Sequence, residues 1–90
     1  MLKVKIKKSD LIWGDWNIKH IAKHGVTRAE VEEIFARAVR AKISYKGRLI
    51  TFGKTKKGRL LAVVLEKVEL GYYILSSRRA SKKERRDLKK

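Results

Sequence analysis

The residues most able to do chemistry in this chain are its cations, and they are unevenly placed. From Arg37 to Arg59 there are nine basic residues and no acidic one; from Arg78 to Lys90 there are eight basic and two acidic. Turn residues set their approximate positions. With Thr55–Gly58 as a hairpin turn, Lys54 is expected opposite Arg59. With the next turn centred on Glu69–Gly71, Arg59 is expected beside Arg78 or Arg79. Lys54, Lys56, Lys57, Arg59 and Arg78 or Arg79 then converge at one end of a sheet, and a one-residue slip would exchange the faces of Arg78 and Arg79. For any one lysine, a solvated rim is an adequate reading. As a cluster they suit phosphate, because arginines on strands can hold phosphate oxygens bidentately. Such a site needs few other groups if the substrate is RNA, which carries its own nucleophile, the ribose 2′-hydroxyl, beside the scissile phosphate. The protein need only align that group, stabilise the pentacoordinate phosphate and help move protons.

Other chemistry is less well provided for. Asn17, His20 and His24 are spaced i, i+3 and i+7 on a predicted helix. Two histidines four apart can chelate a metal, but no third ligand accompanies them, so no metal and no cofactor is expected. An imidazole exchanges protons near neutral pH, which makes His20 a candidate proton carrier. His24 bonding the turn at Gly25, and Asn17 bonding backbone, are the structural alternatives. Ser76 and Ser77 lack the partners of a triad, and there is no P-loop or dinucleotide fingerprint. Trp13, Trp16, Phe35, Phe52, Tyr72 and Tyr73 read mainly as packing residues, with Tyr45 or Tyr73 a possible base-stacking surface.

The totals agree with a polyanion partner. Twenty-five Lys and Arg against nine Asp and Glu give a formal net charge of +16, which favours nucleic acid through release of its counterions. Membrane binding is not expected: no apolar run approaches the ~20 residues of a span, and there is no long basic amphipathic helix. Met1–Lys8 alternates Val4 and Ile6 with lysines like a strand rather than a signal peptide. Without cysteine there is no disulfide framework, and a cytoplasmic location is expected.

The elements that must position these groups follow from periodicity. Leu2–Lys7 alternates as an edge strand. Asp15–His24 is helical, with Ile18, Ile21 and Ala22 on one side and Gly25 as the residue that ends it. Thr27 with Glu30 forms a capping box, followed by an apolar stripe of Val31, Ile34, Phe35 and Ala38. Strands are expected over Ala41–Tyr45, Arg48–Lys54, Arg59–Lys67 and Tyr72–Arg78, with Leu60–Leu65 central because it is apolar on both faces. Ser81 with Glu84 opens a short basic helix from Lys82. The predicted fold is α+β over residues 1–90 as one domain: two N-terminal helices on a meandering antiparallel sheet, then the short C-terminal helix.

Several segments together resemble a known family. Trp16–Thr27 (WNIKHIAKHGVT) with Glu30–Glu33 (EVEE) is similar to the amino-terminal signature of the BrnT toxins. Gly53–Thr55, Gly58–Leu61 and Ser77–Arg85 resemble the rest of that family's pattern in the same order. The resemblance implies a RelE-like fold, ribonuclease activity as the toxin of a type II toxin–antitoxin pair, and a BrnA-type antitoxin that neutralises the toxin and joins it in repressing their operon. Operator DNA would be reached only through that complex. Position by position it points to His20, His24, Arg59 and Arg78. Family members often have Tyr near the end of the last helix, where this chain has Leu88; if that tyrosine assists proton transfer or stacking, the resemblance implies either a slower protein here or the use of His20 or a lysine instead.

The expected function is therefore a metal-independent endoribonuclease. Arg59 and Arg78 stabilise the phosphorane, His20 carries protons, and Lys54, Lys56, Lys57, Arg79, Lys82 and Lys83 hold RNA. Its rivals are a non-catalytic RNA- or DNA-binding module and a decayed toxin retained for antitoxin binding.

Overall fold

Both capping boxes form, and each fixes the start of a helix. The Thr27 hydroxyl accepts from the Glu30 amide at 3.2 Å while the Glu30 carboxylate accepts from the Thr27 amide at 3.1 Å. Ser81 and Glu84 make the same exchange at 3.1 and 2.8 Å, satisfying amides that a helix start would otherwise leave unpaired. In the computed structural model, which describes residues 1–89, the chain runs β1 (Leu2–Val4), β2 (Leu11–Ile12), α1 (Asp15–Ala22), α2 (Arg28–Ile34), β3 (Val39–Ile43), β4 (Leu49–Lys54), β5 (Leu60–Val68), β6 (Gly71–Arg79) and α3 (Lys82–Leu88).

The α+β class is as expected, and β5 is interior in a six-stranded sheet of order β1-β3-β4-β5-β6-β2. One strand departs from the antiparallel meander: β2 runs parallel to β6, Leu11 against Tyr72 and Ile12 against Tyr73. Two residues are too few to show a period. Edge strand β1 is shorter than expected and ends at Val4. Helix α2 stops at Ile34, so the predicted stripe is buried at Val31, Ile34 and Phe35 while Ala38 is exposed. Val39 then enters the sheet opposite Val4, the pairing of a β-branched residue outweighing helical continuation. Ala22 is likewise exposed, with Ile21 the buried anchor of α1.

The sheet has two unlike faces. Helices α1 and α2 cover one of them, where Ile21, Val31, Ile34 and Phe35 pack with Val39, Leu61, Val63, Leu65 and Ile74. The approach of α2 is close enough to require glycine at position 53, where a Cβ would stand 2.8 Å from the Ile34 Cβ. The other face carries a smaller cluster of Phe52, Ala62 and Ala80, against which Ile50, Leu60 and Leu88 of α3 pack.

A bulge decides which arginine faces which side. Pairing of β5 with β6 passes from Leu65↔Ile74 to Val64↔Ser76, leaving Leu75 as the extra residue. Beyond it, Leu61 pairs with Arg79 and Ala62 with Arg78. Leu61 belongs to the α1–α2 core and Ala62 to the α3 face, so Arg79 leaves the sheet on the first face and Arg78 on the second. Two register expectations fail here. Lys54 pairs with Leu60 rather than Arg59, and the residues opposite Arg79 and Arg78 are Leu61 and Ala62, two and three positions past Arg59.

Candidate functional site

The turn between β4 and β5 is held from both sides. Within it, the Thr55 amide donates to the Arg59 carbonyl at 2.9 Å, the Gly58 amide to the Thr55 carbonyl at 2.9 Å and the Arg59 amide to Thr55 Oγ1 at 3.1 Å. From outside, Glu33 of α2 accepts from the Lys56 amide at 3.0 Å. Gly58 takes a φ of 86°, a conformation open to glycine. Lys54, Lys56 and Lys57 are thus carried on a fixed loop with exposed side chains.

Arg59 is fastened to the α1–α2 layer. Helix α1 ends in a Schellman motif, in which Val26 N–H donates to the Ile21 carbonyl at 3.2 Å and Gly25 N–H to the Ala22 carbonyl at 3.0 Å, with Gly25 at φ 71°. That bend presents the Gly25 carbonyl to Arg59 Nη1 at 3.0 Å, and the same nitrogen reaches Glu30 at 2.8 Å. Partial burial pushes the Glu30 carboxyl up, but the Thr27 amide and Arg59 outweigh it and hold it below its ordinary range. Arg59 Nε and Nη2 make no hydrogen bond among the described residues, so part of this guanidinium stays available while its orientation is set.

Arg78 is committed elsewhere. Its Nη1 and Nη2 clasp the two Glu84 oxygens at 2.7 and 2.9 Å on the α3 side. The bond from Arg78, opposed by partial burial and reinforced by the Ser81 amide, lowers the Glu84 carboxyl to about 2; Glu84 in turn raises Arg78 further above its usual value. Arg59 and Arg78 therefore point to opposite faces of the sheet, each against a glutamate, and do not share a cleft. Arg78 anchors α3 through the residue that also caps it.

What does converge is a cavity of about 580 Å³ between the β4–β5 turn and α3. Phe52, Leu60 and Leu88 give it an apolar lining. Around them stand Arg40, Lys54, Lys57, Arg59, Arg79, Arg85 and Lys89, with no acidic side chain in the lining. Of these only Arg40, which donates to the Leu88 carbonyl at 3.3 Å, and Arg59 have side-chain partners among the described residues. Of these seven cations only Arg59 has a carboxylate partner among the described residues, and the rest repel one another until an anion enters.

Four of the cationic residues expected from sequence meet here, namely Lys54, Lys57, Arg59 and Arg79. Lys56, Arg78, Lys82 and Lys83 do not line it; Lys82 borders a second, shallower depression of α3 with Arg85, Arg86 and Lys89. Sequence reasoning missed Arg40, Arg85 and Lys89. A signal was present for the last two, since Arg85, Leu88 and Lys89 recur at i, i+3 and i+4 and so share one helix face.

The histidines lie outside the cavity. Asn17 is buried and bonds backbone, accepting from the Gly14 amide at 2.9 Å and donating to the Ile12 carbonyl at 2.8 Å. His24 makes no side-chain hydrogen bond among the described residues; its ring meets His20 edge-on at 5.8 Å. His20 stacks on Trp16 at 4.8 Å with the planes 8° apart, and Trp16 meets Tyr73 at 6.3 Å. Trp16, expected to pack inside, is 56% exposed.

Among the described residues no helix is long and apolar enough to cross a membrane. Comparison with curated proteins and with solved structures returns no match. Residues 13–84 match the family model described as the ribonuclease toxin BrnT of the type II toxin–antitoxin system. That span takes in α1, the β4–β5 turn, Arg79 and the cap of α3, and on it the chain belongs to the BrnT family of ribonuclease toxins.

Proposed function

We propose that this chain is an endoribonuclease that cleaves RNA without a metal, and that the cationic cavity beside the β4–β5 turn is its active site. The observation that carries this is the gathering of Lys54, Lys57, Arg59 and Arg79 around one cavity with no acidic side chain in its lining. A phosphodiester placed there meets Arg59, whose guanidinium is already held by Glu30 and the Gly25 carbonyl, the condition under which a donor stabilises developing charge best. The 2′-oxygen attacks phosphorus in line, the bond to the 5′-oxygen breaks, and the products are a 2′,3′-cyclic phosphate and a free 5′-hydroxyl. Arg79 and the uncommitted edge of Arg59 face the phosphorane; Lys54 and Lys57 hold the flanking phosphates and exchange the two protons with solvent. In this reading Arg78 is a positioning residue, since its donors are spent on Glu84, and Lys56, Lys82 and Lys83 lie along the path of the strand. His20 contributes to holding the substrate rather than to proton transfer.

The same cations suit an acidic antitoxin of the BrnA type, which would silence the enzyme by covering the cavity and would carry it to operator DNA. The setting is the cytoplasm, where transcripts are.

The test is a purified-protein digestion of an RNA oligonucleotide in EDTA, with the product ends identified by mass. Cleavage leaving a cyclic phosphate is expected, with Arg79→Ala and Arg59→Ala each slower by about 10²–10³-fold. Cleavage that continues unchanged in both variants refutes the site. Tight, salt-sensitive binding with no product would instead identify a non-catalytic binding module.

A further inference from the structure

The three rings Tyr73, Trp16 and His20 form a row on the outside of α1 and β6, and His24 extends it edge-on. A tryptophan more than half exposed does not earn its place by core burial. Its plane lies 8° from that of His20 at 4.8 Å, so the two rings stack and hold the exposed indole in a fixed orientation. We propose that this row is a stacking platform for the bases of single-stranded RNA, leading the strand toward the cationic cavity. The proposal rests on the reading that the cavity binds RNA.

Three observations support it. The first is continuity. The row ends at His24, the next residue is Gly25, and the Gly25 carbonyl is held by Arg59, which lines the cavity. The second is charge. Lys19 on α1 and Lys23 at its C-cap, each three residues beyond a ring of the row, are exposed and so flank that face. At the far end Tyr73 lies opposite Glu66 in the register of β5 and β6. The lysines thus lie toward the His20–His24 end of the row, the end from which Gly25 and Arg59 continue to the cavity. The third is chemistry: aromatic faces accept any base, and interleaved lysines track the backbone, the combination that binds single strands without strong sequence preference. A protein partner docking by apolar burial would gain little from lysines at this spacing.

The experiment uses the whole chain and two labelled octadeoxynucleotides, which lack the 2′-hydroxyl and cannot be cut by the proposed route. One carries bases and the other is abasic. Binding is followed by fluorescence anisotropy at fixed salt. Trp16→Ala is expected to weaken the base-bearing strand about five- to a hundredfold and leave the abasic strand unchanged, while Trp16→Phe keeps most of the affinity. Lys54→Ala, acting through phosphate, should weaken both strands alike. Unchanged binding of the base-bearing strand by Trp16→Ala overturns the platform. So does an equal loss on both strands, or a loss that Trp16→Phe does not restore; the former outcome with lost binding of an acidic partner protein would assign the rings to that partner. Because neither probe is cleavable, base-dependent binding together with failed RNA digestion would refute only the nuclease reading, and digestion without base dependence only the platform.

Discussion

The two faces of the sheet differ in what holds them and in what they offer. On the α1–α2 side, Ile21, Val31, Leu61, Val63, Leu65 and Ile74 are almost wholly removed from water, and two helices seal the layer. On the α3 side three small or aromatic residues, Phe52, Ala62 and Ala80, make the buried cluster, and a seven-residue helix rests on it through Leu88, the Arg78–Glu84 pair and one bond from Arg40. The first face supplies most of the stability. The second leaves room for the cavity because it is only partly filled. A fold this small cannot bury both sides of a six-stranded sheet, and the cavity forms where the open side meets the β4–β5 turn, so that Arg59 and Arg79 from the sealed side border it together with Lys54, Arg85 and Lys89.

The largest effect should come from breaking the sealed face. Leu61→Ala removes a fully buried side chain from the main core and is expected to cost about 2–5 kcal/mol, a large fraction of the stability of a domain this size. Leu88→Ala, on the open face where Leu88 is half-buried, should cost about 1 kcal/mol or less. Denaturant melts of the two variants measure the difference, and equal losses would mean that the faces are not energetically distinct.

A middle-sized effect should come from the seam between helix and sheet. At Gly53 an added Cβ meets Ile34 Cβ at 2.8 Å and Val39 Cγ1 at 3.3 Å, contacts that only a shift of α2 can relieve. Gly53→Ala is therefore expected to destabilise by about 1–3 kcal/mol. The same melts measure it. A neutral result would show that α2 is free to lift from β4, and the sealed face would then be softer than its burial implies.

How much of this was legible in the sequence depends on the range of the interaction. Local signals were reliable: Thr27 with Glu30 and Ser81 with Glu84 cap where their spacing says, and Gly25 ends α1. The apolar run of Leu60–Leu65 correctly places β5 in the sheet interior. What could not be read was non-local. The bulge at Leu75 has no marker in residue type, yet it sends Arg78 to one face and Arg79 to the other. Without it Leu61 would pair with Arg78. The pairing of Arg78 with Glu84 depends on that outcome, while that of Arg59 with Glu30 depends on where α2 packs beside the β4–β5 turn, so a cluster counted along the chain became two separate ion pairs and a cavity. Trp16 was hidden for another reason, since a tryptophan beside a buried Asn17 gives no sign in sequence of which way it points.

The smallest effect concerns the pair that secures the open face. In the folded chain the Glu84 carboxyl lies at about 2, against an ordinary value of 4.5, because Arg78 and the Ser81 amide favour its charged form. A carboxyl lowered on folding adds stability that is complete above its unfolded value and is lost as pH falls through the folded one. The loss should run from about pH 4.5 down to about 2. Arg78 is 45% exposed at its side chain, and solvent screens the pair, so its contribution is about 1 kcal/mol or less. Glu84→Gln should remove that amount at neutral pH and flatten this part of the acid profile. Glu30, also lowered, supplies acid dependence of the same sign on the sealed face and remains in the variant. A double-mutant cycle of Glu84→Gln with Arg78→Ala isolates the pair. If the cycle shows coupling while the melting of Leu61→Ala is unaffected by Glu84→Gln beyond simple addition, the two faces are independent. Strong non-additivity would mean that α3 is part of the core after all, and that closing or opening the cavity is felt throughout the sheet.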